Sequence, residues 1–130
     1  MTKTSNLFNK LNQLYTQLLS LLFPPVIERT PEHQKIIDEQ TKYLVLYHFP
    51  GCPYCTKIKR LIHQLSLKIE LRDARHNQEY RNELINHGGK AQVPCLHIQS
   101  PEGDNQWLYE SGAINNLLKQ RFMQDENSTR

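Results

Sequence analysis

Cysteine is scarce in this chain: three thiols among 130 residues, an odd count. That scarcity excludes a small domain stapled by a paired disulfide framework, and it fits a reducing, cytoplasmic compartment. Excess charge of one sign is also missing. The formal net charge is +3, and no basic stripe interleaved with aromatics runs along the sequence, so nucleic acid is not an expected partner. Long apolar runs are absent too. The most apolar stretch, residues 7–23, is broken by Asn9, Lys10, Asn12 and Gln13, too polar to span a bilayer, and it lacks the compact apolar core and small-residue cleavage site of a secretory leader.

What is present suits one domain of ordinary size with an appendage, large enough to bury a core without staples. The appendage is residues 1–40, a helical arm and linker; the compact domain is expected at 41–123, and 124–130 is a polar tail. In the arm, Leu7/Phe8, Leu11, Leu14/Tyr15, Leu18/Leu19 and Leu22 recur at helical spacing, opposed by Asn, Gln and Thr, which predicts an amphipathic helix ended by Pro24-Pro25. Such a stripe packs on its own domain, on a partner helix or peripherally on a membrane, here the inner face. No acidic residue precedes Glu28, which favours a membrane, but only Lys3 and Lys10 are basic, fewer cations than interfacial helices usually carry. Thr30-Pro31-Glu32 then opens a short helix toward Gln40.

From Leu44 onward, short apolar runs alternate with helical patterns. Leu44 to Phe49 reads as a buried strand bounded by Pro50-Gly51, and Thr56 to Leu67 as a helix with Ile58, Leu61, Ile62 and Leu65 on one face. Ile69 to Arg72 alternates like a strand, and Gln78 to His87 is a helix stopped at Gly88-Gly89. Pro94–Gln99 and Gln106–Tyr109 read as strands joined by the turn-rich loop 100–105, before a last helix from Ser111 to Phe122. The order is βαβαββα.

Cys52-Pro53-Tyr54-Cys55 falls at the first strand-to-helix turn. A thiol at a helix mouth meets unpaired N–H groups and the positive end of the macrodipole, which favour the thiolate, and Lys57, Lys59 and Arg60 add positive charge. Two further motifs follow in order: Gln92-Val93-Pro94, and Glu110-Ser111-Gly112-Ala113-Ile114 at the start of the last helix. Together these three motifs resemble those of the glutaredoxins and of the thioredoxin-like N-terminal domain of glutathione S-transferases, over about Leu44 to Phe122. The whole chain is similar to small bacterial glutaredoxin-like proteins.

The resemblance implies an α/β, thioredoxin-like fold with a four-stranded mixed sheet. It implies glutathione as co-substrate, and as partners proteins that are glutathionylated or disulfide-bonded. Cys52 would be the nucleophile and Cys55 the resolving thiol. Tyr54 would line the groove, Val93 before a cis Pro94 would pair with the tripeptide backbone, and Glu110 and Ser111 would grip the γ-glutamyl group. Lys90 is the candidate for the glycyl carboxylate.

The chain also departs from the family pattern. Phe49 stands where many glutaredoxins have a lysine three residues before the first cysteine, with His48 beside it as a candidate substitute cation. Tyr109-Glu110 replaces the glutaredoxin Gly-Gly turn in the transferase-like manner. Too few residues follow Phe122 to build the second transferase domain, so conjugation is not expected. Other readings compete: a carrier of an iron–sulfur cluster held through Cys52 and glutathione, a glutathione-binding adaptor docked by the arm, or a zinc set of Cys52, Cys55, Cys95 and His97. The Pro-Tyr spacer argues against the last, so no metal is expected. Cys95 is expected to be a buried packing residue.

Overall fold

The computed structural model describes residues 9–15, 18 and 26–123. Leu44–His48 forms β1, in which every side chain is buried. A run of that kind needs cover on both faces, which helices on either side of the sheet provide. The order is β2-β1-β3-β4, with β2 at Glu70–Asp73, β3 at Cys95–Gln99 and β4 at Asn105–Leu108. β1 pairs parallel with β2 and antiparallel with β3, and β3 pairs antiparallel with β4. The fold is therefore α/β and thioredoxin-like, with the mixed sheet the sequence implied.

Alternation sorts the strand side chains into two layers. Leu44, Leu46 and Leu96 face one side and meet Ile37 of α1 (Pro31–Thr41), Ile58, Leu61 and Ile62 of α2 (Pro53–Gln64), and Ile114, Leu118 and Phe122 of α4 (Ser111–Phe122). Val45, Tyr47 and Cys95 face the other side, under Leu84 and Ala74, with Tyr80, Trp107 and Tyr109 packed around them. α3 (Gln78–Glu83) covers this second face and runs directly into a single π-helical turn, Leu84–Gly88. The expected helix over 78–87 is thus widened in its second half. Gly89, at φ +95°, ends it by donating its N–H to the Leu84 and Ile85 carbonyls.

Residues 27–41 belong to the core rather than to an arm outside it. Ile27 packs against the first layer and Ile37 is 5% exposed within it, a burial worth about 2 kcal/mol by apolar area. Thr30 caps α1 by accepting the His33 N–H, with Pro31 in the first turn. Arg29 donates to the carbonyls of Leu65 and Phe122, at 2.6 and 2.8 Å, tying the ends of α2 and α4 to the same residue.

Residues 9–15 are helical. Leu11, Leu14, Tyr15 and Leu18 are each more than half exposed, so among the described residues the apolar stripe does not pack on its own domain. Leu7, Phe8, Leu19, Leu22, Pro24-Pro25 and the tail 124–130 lie outside the described residues. No described helix is long and apolar enough to cross a membrane.

Candidate active site

β1 delivers the chain to Pro50-Gly51, where Gly51 turns at φ +84°, and α2 begins at once. Cys52 is its N-cap residue, with extended backbone (φ −75°, ψ 122°), and Pro53 occupies the first turn, where a missing N–H costs nothing. The helix therefore starts three residues earlier than periodicity suggested, because apolar spacing marks where a helix buries a face and the first turn here buries only Cys55.

The two thiols differ in environment. Partial burial pushes the Cys52 thiol up, but the N–H of Cys55, the Cys55 thiol, the N–H of Tyr54 and the charge of Lys59 together hold it below its ordinary value. Cys55 is fully buried. That burial, with Cys52 beside it, pushes it up to about 11. The first sulfur is thus the more readily ionised of the two, and the second holds its proton. Lys59, one turn beyond Cys55, supplies the cation that Phe49 does not. His48 is not that cation: it is 8% exposed, its Nδ1 has no partner, and burial and Lys59 lower its pKa, keeping it neutral.

A groove of about 360 Å³ opens beside the helix mouth, lined by Tyr54, Gln92, Val93, Pro94, Tyr109, Glu110, Ser111 and Gly112. The Val93-Pro94 bond is cis. Glu110 is the N-cap of α4 but makes no side-chain capping bond, which leaves its carboxylate and the first-turn N–H groups of α4 open to a ligand. Tyr54, Val93, Pro94, Glu110 and Ser111 therefore share one cleft. Lys90 is not in its lining; its ammonium lies 5.7 Å from the centre of the Tyr109 ring. Sequence reasoning singled out neither Gln92, quoted only as part of a motif, nor Tyr109.

Cys95 is fully buried, and burial pushes its thiol up to about 12 despite a contact with the Tyr109 hydroxyl. His97, the other member of the alternative zinc set, stacks on Trp107 with ring centres 3.9 Å apart and bonds Asn105 through Nε2 at 2.8 Å. A larger cavity, about 470 Å³, opens on this second face among Tyr47, Arg72, Glu83, His87, His97, Asn105 and Trp107. It contains no thiol. Its Arg72 is already bonded to Glu83 and the Tyr47 hydroxyl, so its size does not make it the reactive site.

Residues 44–100 match the family model for glutaredoxin. No curated protein sequence matches the chain. Similar solved structures include a maleylacetoacetate isomerase from Anaeromyxobacter dehalogenans 2CP-1 with dicarboxyethyl glutathione and citrate bound in its active site. It is 21% identical over 62% of this chain, with a TM-score of 0.49, and this chain spans 37% of its length. A glutaredoxin from Brucella melitensis is 22% identical over 60% of this chain and 78% of its own, with a TM-score of 0.41. A wheat glutaredoxin is 17% identical over 69% of this chain and 79% of its own, with a TM-score of 0.45.

Proposed function

We propose that this protein is a glutathione-dependent thiol–disulfide oxidoreductase acting on glutathionylated proteins or small disulfides, a reading supported by the match of residues 44–100 to the glutaredoxin family model. The observation that carries the reading is an acidified Cys52 thiol at the N-terminus of α2, next to a groove that gathers Val93, cis-Pro94, Glu110 and Ser111. The peptide backbone and the γ-glutamyl end of glutathione have matching partners there. The backbone of Val93 offers strand-like pairing to the tripeptide, the N–H groups and hydroxyl at Ser111 suit the γ-glutamyl carboxylate, and Glu110 suits its ammonium.

In the reaction, the Cys52 thiolate attacks the glutathione sulfur of a mixed disulfide. A new S–S bond joins Cys52 to glutathione, the old one breaks, and the target protein leaves as a thiolate that takes up a proton. A second glutathione thiolate then attacks the glutathione sulfur on Cys52. Oxidised glutathione departs and the Cys52 thiolate is restored. Cys55 offers a branch: once deprotonated, it attacks Cys52, releases glutathione and leaves an intramolecular disulfide. Burial holds the Cys55 proton, which disfavours that branch near neutral pH.

The test is turnover of a small glutathione mixed disulfide with glutathione and a regenerating reductase. Cys52→Ser should abolish it, while Cys55→Ser should retain at least about half, since only the side branch is lost. A Cys52→Ser protein as active as the parent would overturn the reading. The exposure of Leu11, Leu14, Tyr15 and Leu18 favours a second role, docking of the N-terminal helix on an anionic membrane. Full-length protein should then float with anionic vesicles and a chain lacking residues 1–23 should not; equal behaviour of the two removes that role.

A further inference from the structure

The 470 Å³ cavity on the second face of the sheet takes no part in the chemistry proposed above, yet it has the size and the polar groups of a small-molecule site. Strand register builds it. His97 and Trp107 are partners across β3 and β4, and Tyr47 and Arg72 are partners across β1 and β2. His97 stacks on Trp107 with the planes 10° apart, and the Tyr47 ring centre lies 5.5 Å from that of Trp107, so three rings form one aromatic wall. Against this wall stands an ion pair. Glu83 Oε2 accepts from the Tyr47 hydroxyl and from Arg72 Nη1, each at 2.7 Å, while Arg72 Nε donates to Glu70. Among the described residues, that leaves Arg72 Nη2, a donor, and Glu83 Oε1, an acceptor, without partners, each on the carbon that carries an atom of the pair. His97 is 8% exposed, and its Nε2 meets Asn105 while its Nδ1 has no partner. Polar groups left unfilled in a half-buried wall cost free energy that a matching ligand recovers.

We infer that this cavity is a second ligand site, for an uncharged planar nitrogen heterocycle whose edge carries a hydrogen-bond donor beside an acceptor, as a nucleobase edge does. The charges of Arg72 and Glu83 cancel, so neither an anion nor a cation gains from entering. A donor next to an acceptor is instead complementary to an acceptor next to a donor, and both bonds are charge-assisted on the protein side. The ligand's flat face adds contact with the aromatic wall. An aliphatic amide would keep the hydrogen bonds and lose the ring contact, and an aromatic carboxylate would keep the ring and set its charge against Glu83. None of the residues lining this cavity lines the groove beside Cys52, so the two sites stand or fall separately.

Trp107 is the only tryptophan in the chain, so its indole N–H gives one NMR signal that reports on this wall alone. Adenine titrated into the full-length protein should move that signal saturably, with a dissociation constant of about 1 mM, ordinary for a ligand of ten heavy atoms. Acetamide and benzoate over the same range should leave it in place. Glu83→Gln keeps the shape but turns a donor toward the ligand where an acceptor stood, and should weaken adenine binding by about ten-fold. Cys52→Ser and saturating glutathione should not change it. The inference is overturned by the absence of a saturable shift, by benzoate or acetamide acting as well as adenine, by displacement of adenine by glutathione, or by a folded Glu83→Gln protein that binds adenine as tightly as the parent. Should that variant fail to fold, the comparison of the three probes on the parent still decides.

Discussion

Three thiols on one small domain are set to different acidities by their surroundings. Cys52 is held below the ordinary thiol value of 9.0, whereas burial pushes Cys55 up to about 11 and Cys95 up to about 12. Iodoacetamide at neutral pH should therefore label Cys52 first, with Cys55 and Cys95 labelled only on unfolding, as peptide mass spectrometry can resolve. The labelling rate should climb with pH and level off below 9.0, following the depressed Cys52 value. Lys59→Gln should move that inflection upward and Lys59→Arg should restore it; a plateau at or above 9.0 in the parent would contradict the thiolate assignment. The motif cysteines were legible from residue type and their place at a strand-to-helix turn, and the proline and the acidic-Ser pair only through their resemblance to family motifs. Lys59 was one of three cations in the first turns, and only helical phase and the third dimension distinguish it from Lys57 and Arg60. The Tyr109 hydroxyl was not legible, since its partners, the Lys90 N–H and the Leu84 carbonyl, lie 19 and 25 residues upstream.

Among the elements, the π-turn Leu84–Gly88 is where local pattern and tertiary fit part company. Tyr80, Leu84 and Ile85 are spaced for an ordinary α-helix, yet the turn widens where Tyr109 and Trp107 press against Gly88. A Cβ at Gly88 would approach the Tyr109 hydroxyl to 2.2 Å and a Trp107 ring carbon to 2.9 Å. Gly88→Ala should accordingly cost about 2 kcal/mol, the size of an overpacked contact, seen as a lower urea midpoint by Trp107 fluorescence. A midpoint equal to the parent's would mean that the aromatic pair yields freely. Nothing in residues 78–88 alone announces this, because the side chains that meet Gly88 come from β4 and the link after it. The start of α1 was better marked, since Thr30-Pro31 places proline in the first turn and the helix begins there, whereas α2 begins at Pro53, three residues before its apolar spacing.

For the molecule as a whole, buried acids govern the alkaline limit of stability. Cys55, Cys95 and Tyr47 all lose protons less readily when folded; the Tyr47 phenol, raised first by burial and then by Glu83, stands at about 12. A raised folded value means stability that is complete below the unfolded one and lost as pH climbs to the folded one. The thermal midpoint should hold to about pH 9 and then decline steadily toward pH 12, and Cys95→Val should soften the decline. Cys52 works in the opposite sense: its depressed value contributes above pH 9.0 and fades as pH falls through the folded value. A midpoint flat up to pH 11 would show that these groups titrate as in the unfolded chain. The βαβαββα order was legible at this scale, since strand and helix periods differ plainly, and the mixed sheet followed from the family resemblance. The role of residues 27–41 was not, because a short polar helix with one buried isoleucine looks like a linker until its contacts are known.

The Arg29 tie has a practical side for anyone trimming the gene. A fragment started at Leu44, where the family match begins, would strip two carbonyls of their guanidinium and open the pocket now filled by Ile27 and Ile37. The smallest fragment that should keep the parent's thermal midpoint begins upstream of Ile27.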